Sequence, residues 1–194
     1  MKLTKLLPFL LLISCFTNAQ PFKLGEAKGM FLSFETGPRF PVGVFSETHN
    51  TGIGGNLTFS YTDTGVLPLF IYFRTGFQHN PAEQSFLSKS GLSSISTNII
   101  TINPGVRYYF PPVLDMGIIL MPVIEGGFTY KYSATQFCYG AGSSITENES
   151  GYGFHAGAGF SAFLMEVLVN YQYIKNFQTV SVDIGVRIPL YAKI

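Results

Sequence analysis

Nine charged residues of this chain share one sequence pattern, and their side chains are the ones that could act together chemically. Wherever they occur, the residues directly before and after them are mostly apolar, so on β-strands the charges would share one face. Charges removed from water need partners, because unpaired burial is costly. The near balance of signs therefore predicts ion pairs between facing strands. The set comprises Glu35, Arg39, Arg74, Arg107, Glu125, Lys131, Glu166, Asp183 and Arg187.

A catalytic pair is the second chemistry to consider. His155 and Ser161 share one parity and could form an acyl-transfer pair, but they are six residues apart. That spacing corresponds to ~20 Å along a strand, so we expect no direct hydrogen bond. His49 and His79 lie in predicted loops without an acidic partner to orient them, and the chain has no G-x-S-x-G motif or metal-ligand spacing. We therefore predict no enzymatic activity, no cofactor and a lumen position for His155.

The strand that best shows the pattern is 179–190, TVSVDIGVRIPL, whose apolar and polar residues alternate throughout. Similar alternation predicts an all-β chain, an eight-stranded antiparallel up-and-down transmembrane β-barrel. Some inward positions break the pattern with apolar residues, namely Phe31, Phe70, Tyr109 and Leu168, and Thr36 and Thr75 fall outward. The predicted strands are 30–40, 53–62, 67–78, 98–110, 117–132, 152–162, 165–173 and 179–190.

Composition favours a membrane location for this sheet. Charged residues make up only 12% of the chain and aromatic residues 15%, whereas soluble domains carry about 25% charge. Past residue 20 no apolar run approaches the ~18 residues of a membrane helix, so only a closed sheet could cross a bilayer. The net charge is +1 without a basic run, which argues against nucleic acid as a partner.

The N-terminus predicts secretion. Lys2 and Lys5 precede the apolar stretch 6–13, and small residues at 17–19 offer a cleavage site, so we expect a signal peptide at 1–19 and the barrel domain at 20–194. Alternatively, the sequence LISC at 12–15 resembles a lipobox, which would make Cys15 a lipidated N-terminus. If Cys15 is removed, Cys138 is the only mature cysteine and an intramolecular disulfide is excluded.

The connections alternate between long and short. The ranges 41–52, 79–97 and 133–151 are long, and most of the others are tight turns. Outer-membrane barrels have longer external loops and short periplasmic turns. We expect any extracellular ligand or protein partner to bind these loops, although mobile surface loops without a ligand are the competing interpretation.

Several segments resemble a known family. GPRFPVGVF (37–45), PGVRYYF (104–110), VNYQY (169–173) and VDIGVRIPL (182–190) resemble small outer-membrane β-barrels of Bacteroidetes-type bacteria and, in architecture, the OmpA/OmpX eight-stranded barrels. The resemblance covers about residues 28–194 and implies an integral outer-membrane protein of a Gram-negative cell. The chain ends in Lys193-Ile194 instead of the terminal Phe or Trp of many proteobacterial barrels.

Together these patterns predict an outer-membrane barrel with a polar, salt-bridged lumen and a structural or adhesive role. Its expected partners are outer-membrane lipid, lipopolysaccharide and the barrel assembly machinery. One alternative is a narrow, porin-like channel for small solutes. Another is a secreted, soluble, lipocalin-like barrel that binds a ligand, in which the apolar residues would face inward.

Overall fold

Long antiparallel strands make up most of the computed structural model, which describes residues 27–115, 119–139 and 143–192. The predicted signal peptide (1–19) and Cys15 lie outside the described residues. A 3-10 helix, Gly43–Glu47, and helix α1, Gln84–Ser90, lie in two of the connections. No helix in the described ranges is long and apolar enough to cross a membrane. The strands are β1 (Ala27–Val42), β2 (Gly52–Asp63), β3 (Leu69–Pro81), β4 (Leu92–Tyr109), β5 (Leu114–Asp115), β6 (Ile119–Tyr139), β7 (Ser144–Ala162), β8 (Met165–Ile174) and β9 (Phe177–Ala192).

The sheet closes into a ring. Each long strand pairs antiparallel with the next one along the chain, and β1 pairs with β9. The two-residue strand β5 pairs only with β6, beside the ring. Among the described residues, eight strands therefore form the barrel wall, which confirms the predicted eight-stranded antiparallel up-and-down transmembrane β-barrel. In a closed ring neighbouring strands satisfy one another's backbone N–H and C=O groups, as a chain in a bilayer requires.

The two faces of the wall have opposite chemistry, as β8 shows most simply. Its outward side chains are all apolar or aromatic, and Val169 at its centre is 47% exposed. Its inward Glu166 is 1% exposed. This alternation is the apolar-out, polar-in arrangement of a transmembrane barrel. It is the reverse of the lipocalin-like alternative, in which apolar residues fill the interior.

The strands extend further than the sequence predicts, so two loop predictions are wrong in part. The predicted loop 133–151 is mostly strand, because β6 and β7 stay paired from Lys131↔Gly151 to Cys138↔Ser144. In the predicted loop 79–97, β3 continues to Pro81, α1 follows, and β4 begins at Leu92. Above the apolar belt both faces of a strand meet water, so the alternation that marks a strand in sequence disappears there.

Small residues let neighbouring strands approach. A Cβ at Gly37 on β1 would collide with the carbonyl oxygen of Val182 on β9, so only glycine fits that position at the ring closure. The seam between β1 and β9 is therefore closed by close backbone packing.

The tight turn between β8 and β9 contains Asn176 with a φ of 62°, a left-handed conformation that asparagine tolerates.

Candidate functional site

A cluster of buried ions fills the middle of the barrel. Arg107 on β4 is its centre: its Nη2 lies 2.6 Å from Glu125 Oε2 and its Nη1 lies 2.8 Å from Glu166 Oε2. Arg74 on β3 places Nη1 2.7 Å from Glu125 Oε1. Glu35 on β1 lies 3.4 Å from Arg74 Nε and 3.5 Å from Arg107 Nη2. These contacts join charges from five strands across the lumen, counting Glu166 on β8.

Strand register explains why these residues meet. Arg107 stands directly opposite Glu125 in the β4–β6 pair. Gly185 on β9 stands opposite both Glu35 on β1 and Glu166 on β8. A Cβ at Gly185 would lie 2.7 Å from Glu35 Cγ and 2.9 Å from the carbonyl oxygen of Phe34, so the missing side chain leaves room for the two carboxylates.

Of the remaining predicted charges, Arg187 on β9 lies toward the turn end, 3.6 Å from Glu166, and the other three lie nearer the external mouth. Arg39 on β1 forms a separate buried pair with Asp183 on β9, and Ser181 Oγ donates a hydrogen bond to Asp183 at 2.8 Å. Lys131 on β6 pairs at 2.9 Å with Glu149, whose side chain is 62% exposed. Glu149 lies in a predicted loop, so the sequence does not mark it as a partner of Lys131. Extending the parity of β7 upward from His155 would have put Glu149 on the same face.

His155 is held by two hydrogen bonds, and Ser161 takes part in neither of them. Its Nε2 lies 2.5 Å from Tyr72 Oη and its Nδ1 lies 3.0 Å from Thr129 Oγ1. The Tyr72 ring in turn packs against the guanidinium of Arg74, at 5.0 Å from its carbon. Ser161 lies at the turn end of β7, where it lines a separate pocket. Within the described ranges, His, Cys, Asp and Glu form no group that could hold a metal ion.

The first connection folds inward and covers the mouth between the long hairpins. Phe45, on the 3-10 helix, packs its ring 4.7 Å from that of Phe177 and joins Ile99 and Ile174 in a buried apolar cluster. His49 stacks on Phe45 at 4.4 Å, and its Nε2 lies 2.6 Å from Thr97 Oγ1. Burial lowers the pKa of His49 to about 4, because it disfavours the charged imidazolium. We call this cluster of Phe45, Ile99, Ile174 and Phe177 the external plug, and it lies at the end predicted to be extracellular.

A second apolar layer lies at the turn end of the lumen. Tyr109, Val123 and Leu168 are buried together, and Phe70 and Met121 pack against them. Three of the inward residues that broke the polar pattern, Phe70, Tyr109 and Leu168, thus form this layer. The Tyr109 hydroxyl also donates a 2.6 Å hydrogen bond to Glu166 and so ties the layer to the ion cluster.

A small cavity lies between the two layers. A cavity beside Arg39, Arg74 and Asp183 holds only about 10 Å³, roughly the room one water needs. A larger vestibule of about 210 Å³ lies at the external mouth, against Phe45, Lys131 and Glu149. Of these two spaces in the described part of the chain, the one at the external end could hold a ligand, and the one in the middle has room for about one water.

Comparison with known proteins finds similarity only among solved structures. No protein-family model matches the chain, and no curated protein sequence matches it. Neisserial surface protein A (NspA) is 14% identical, with 84% of this chain and 97% of that chain covered and a TM-score of 0.49. Ail of Yersinia pestis, in complex with the heparin analogue sucrose octasulfate, is 12% identical, with 82% and 97% covered and a TM-score of 0.48. Similarity at this level carries no argument about ligands or partners, so the barrel assignment rests on the strand pairing of the chain itself.

Proposed function

We propose that this protein is an integral outer-membrane barrel with a sealed lumen, which binds an extended polypeptide segment at its external face. The apolar outward face supports residence in a bilayer, and the secretion signal predicted from the sequence supports the outer membrane. The proposal implies outer-membrane lipid around the belt, lipopolysaccharide in the outer leaflet and the barrel assembly machinery as partners. It places the short turns in the periplasm and the long hairpins outside.

The observation that carries the binding role is a free strand edge. Strand β7 pairs with β6 as far as Ser144, but its pairing with β8 begins only at Gly153. Residues 144–152 therefore have a strand neighbour on one side only, among the described residues. This stretch of nine residues spans ~30 Å. We call the paired residues 133–139 and 144–152 the external ribbon.

Proteins rarely leave an exposed strand edge of this length uncovered, because its unpaired N–H and C=O groups can pair with any other strand. All side chains from Ser144 to Ser150 are exposed, so the barrel does not shield it. Addition of a strand from a partner would satisfy these groups, as in other cases of strand augmentation. Glu147 and Glu149 make the ribbon acidic, so we expect basic residues in the partner segment.

A narrow channel, the alternative left open by the sequence, has less support. A continuous water path would have to pass the external plug, the ion cluster and the turn-end layer around Tyr109. Binding at the surface therefore fits the geometry better than transport through it.

The orientation can be tested with the chain's own cysteine. Cys138 lies on the external ribbon and is partly exposed, so a membrane-impermeant maleimide should label it on intact cells. The matched control is Thr64→Cys in a Cys138→Ser background, which moves the thiol to an exposed periplasmic turn. It should label only after the outer membrane is permeabilised. Labelling of the turn and protection of Cys138 on intact cells would contradict the proposed orientation.

The binding role can be tested with peptide selection. Phage-displayed peptides would be selected on the barrel in lipid nanodiscs and then tested on a variant whose ribbon is shortened at 135–148. The expected peptides bind the wild-type barrel, lose binding to this variant and retain it on a variant lacking α1. Selected peptides that bind the shortened variant equally well would contradict strand addition at the ribbon.

A further inference from the structure

The vestibule at the external mouth lies beside the external ribbon and its free edge. Phenylalanine rings line it, among them those of Phe45, Phe137 and Phe177, and its volume is about 210 Å³. Sites for small molecules usually begin at ~300 Å³, so this space is nearer the size of one side chain. A pocket of this size next to an unpaired strand edge is one that a side chain of an added strand would fill.

The inner face of the ribbon forms one wall of the vestibule. Ser133 and Thr135 on β6 and Glu149 on β7 line the space, whereas the ribbon residues of the opposite parity do not. Ser133 and Glu149 stand directly opposite each other in the pair of β6 and β7. Residues directly opposite each other in an antiparallel pair project to the same face. A residue that an added strand places opposite Glu149 therefore also projects into the vestibule.

The wall of the barrel is open on the side from which this strand would come. Strand β8 ends at Ile174 and β9 begins at Phe177, so an added strand takes the line of β8 above their turn. A Cβ at Gly151 would lie 2.9 Å from Ile174 Cγ2, so Ile174 already fills the space beside Gly151. The first free inward position on the added strand is therefore the one opposite Glu149.

The surroundings of that position favour an aromatic side chain. Lys131 Nζ lies 5.1 Å from the centre of the Phe177 ring, and the Lys131 side chain is only 4% exposed. An ammonium group removed from water attracts aromatic rings more strongly than one in solvent. Pairs of aromatic rings also contribute beyond the area that they bury. A phenylalanine, tyrosine or tryptophan side chain gains both contacts, and leucine gains neither.

The acidic side chains of the ribbon set the order of residues in the bound segment. Glu147 precedes Glu149 by two residues and is exposed. In an antiparallel pair, the partner residue opposite Glu147 follows the one opposite Glu149 by two positions. Opposite charges attract across a strand pair, so we expect lysine or arginine at this second position.

We propose that the vestibule is the anchor pocket for the partner segment, which carries an aromatic residue followed two positions later by lysine or arginine. The aromatic side chain enters between Phe45, Phe137 and Phe177, and the basic side chain pairs with Glu147. This inference rests on the proposed strand addition at 144–152 and adds the side chains by which the barrel selects its partner.

The test uses synthetic peptides of nine residues, the length of 144–152, and the whole barrel in lipid nanodiscs. The probe Thr-Ser-Thr-Phe-Thr-Lys-Thr-Ser-Thr carries a fluorescent label, and fluorescence anisotropy gives its Kd. Replacing its Phe by Ala should weaken binding at least tenfold, and replacing it by Leu should weaken binding several-fold. Exchanging its Phe and Lys, which reverses the order of the motif, should also weaken binding several-fold.

The outcomes separate the anchor pocket from strand addition itself. If the Phe and Ala peptides bind equally tightly and both lose binding to the barrel shortened at 135–148, the anchor pocket is overturned and strand addition stands. Equal affinity for the Phe and Leu peptides would overturn the aromatic assignment, and tighter binding of the exchanged peptide would overturn the antiparallel order. No binding of any peptide, or binding that the shortened barrel keeps, would overturn both proposals.

Variants of the barrel locate the pocket. Thr135→Trp should fill the vestibule and reduce the affinity for the Phe peptide to that for the Ala peptide, whose own binding should not change. The matched control is Gln136→Trp, which adds the same side chain at an exposed position on the other face of the ribbon and should keep the preference for Phe. The gel shift shows whether each variant is folded, and the peptide series on the wild-type barrel decides the question if Thr135→Trp does not fold. A tenfold preference for Phe retained in folded Thr135→Trp would overturn the anchor pocket.

Discussion

Arg107 and Glu125 stand directly opposite each other on β4 and β6, and Arg107 Nη2 lies 2.6 Å from Glu125 Oε2. Glu125 also binds Arg74, so two buried guanidinium groups share one carboxylate at the centre of the lumen. Removing one partner of a buried ion pair leaves an uncompensated charge, which costs more than the pair itself contributes. The ion cluster is therefore the part of the barrel most sensitive to the loss of a single charge.

Glu125→Gln should lower the free energy of unfolding by about 3–5 kcal/mol, because Arg74 and Arg107 lose their shared counter-ion. The measurement is urea unfolding of the barrel in lipid vesicles, followed by the gel shift between folded and boiled samples. Glu147→Gln is the matched control, since it neutralises an exposed carboxylate on the external ribbon and should cost less than about 1 kcal/mol. Equal costs for the two variants would show that the central ions are not sealed from water.

Val169→Arg should destabilise the inserted barrel by about 2–4 kcal/mol if Val169 faces the middle of the bilayer. Val169 is at the centre of the outward face of β8, where a charged side chain would meet hydrocarbon. The change in the free energy of unfolding is measured in lipid vesicles. Val169→Leu is the control, because it changes the size of the side chain without adding a charge. A cost for Val169→Arg no larger than that for Val169→Leu would contradict the lipid-facing assignment.

Gly185→Ala should destabilise the barrel by about 1–3 kcal/mol, because the added Cβ overpacks a filled site. That atom would press on the carbonyl oxygen of Phe34 and on the side chain of Glu35. Gly55→Ala is the control, since its Cβ would meet only the carbonyl oxygen of Glu35, at 3.4 Å. The same unfolding assay compares the two, and equal stability would contradict the close packing of β9 against β1.

Acid should loosen the external plug through His49. Its pKa is 6.5 when unfolded and about 4 in the folded plug, so the unfolded state binds more protons between these values. The contribution of the neutral ring to stability is complete above about pH 6.5 and is lost as the pH falls toward 4. Because the chain has no tryptophan, Phe45→Trp gives a single fluorescent reporter of plug release.

The expected result is a red shift in the fluorescence emission of the Phe45→Trp protein as the pH is lowered from 7 to 4. Adding His49→Gln should remove most of this shift, because the amide retains hydrogen-bonding capacity toward Thr97 but does not titrate. An identical shift in both proteins would assign the effect to another group.

The barrel itself could be predicted from sequence because alternation is strong wherever one face meets lipid, as in β8 and β9. It weakens above the belt, where Thr135 and Glu149 lie on strands but both faces meet water. The sequence therefore predicts a loop where the structure has the external ribbon and its free edge. Pairing with a neighbouring strand, which no local pattern encodes, determines how far β6 and β7 extend.

The candidate sites were less predictable. Parity placed Arg107 and Glu125 on the inner face, but the identity of each pair depends on register and on Gly185, which no single segment specifies. Phe31, Phe70 and Tyr109 were exceptions to the polar lumen pattern, and in the structure they surround Arg187. Phe45 could not be assigned to the plug, because its position depends on how the first connection folds back into the barrel.

Single-channel recording in planar lipid bilayers tests the sealed lumen most directly. The purified barrel, shown to be folded by its gel shift, should insert without producing sustained ion-conducting openings, because the external plug, the ion cluster and the turn-end layer block the path. Sustained openings of constant conductance at neutral pH would contradict the sealed lumen and would favour a channel.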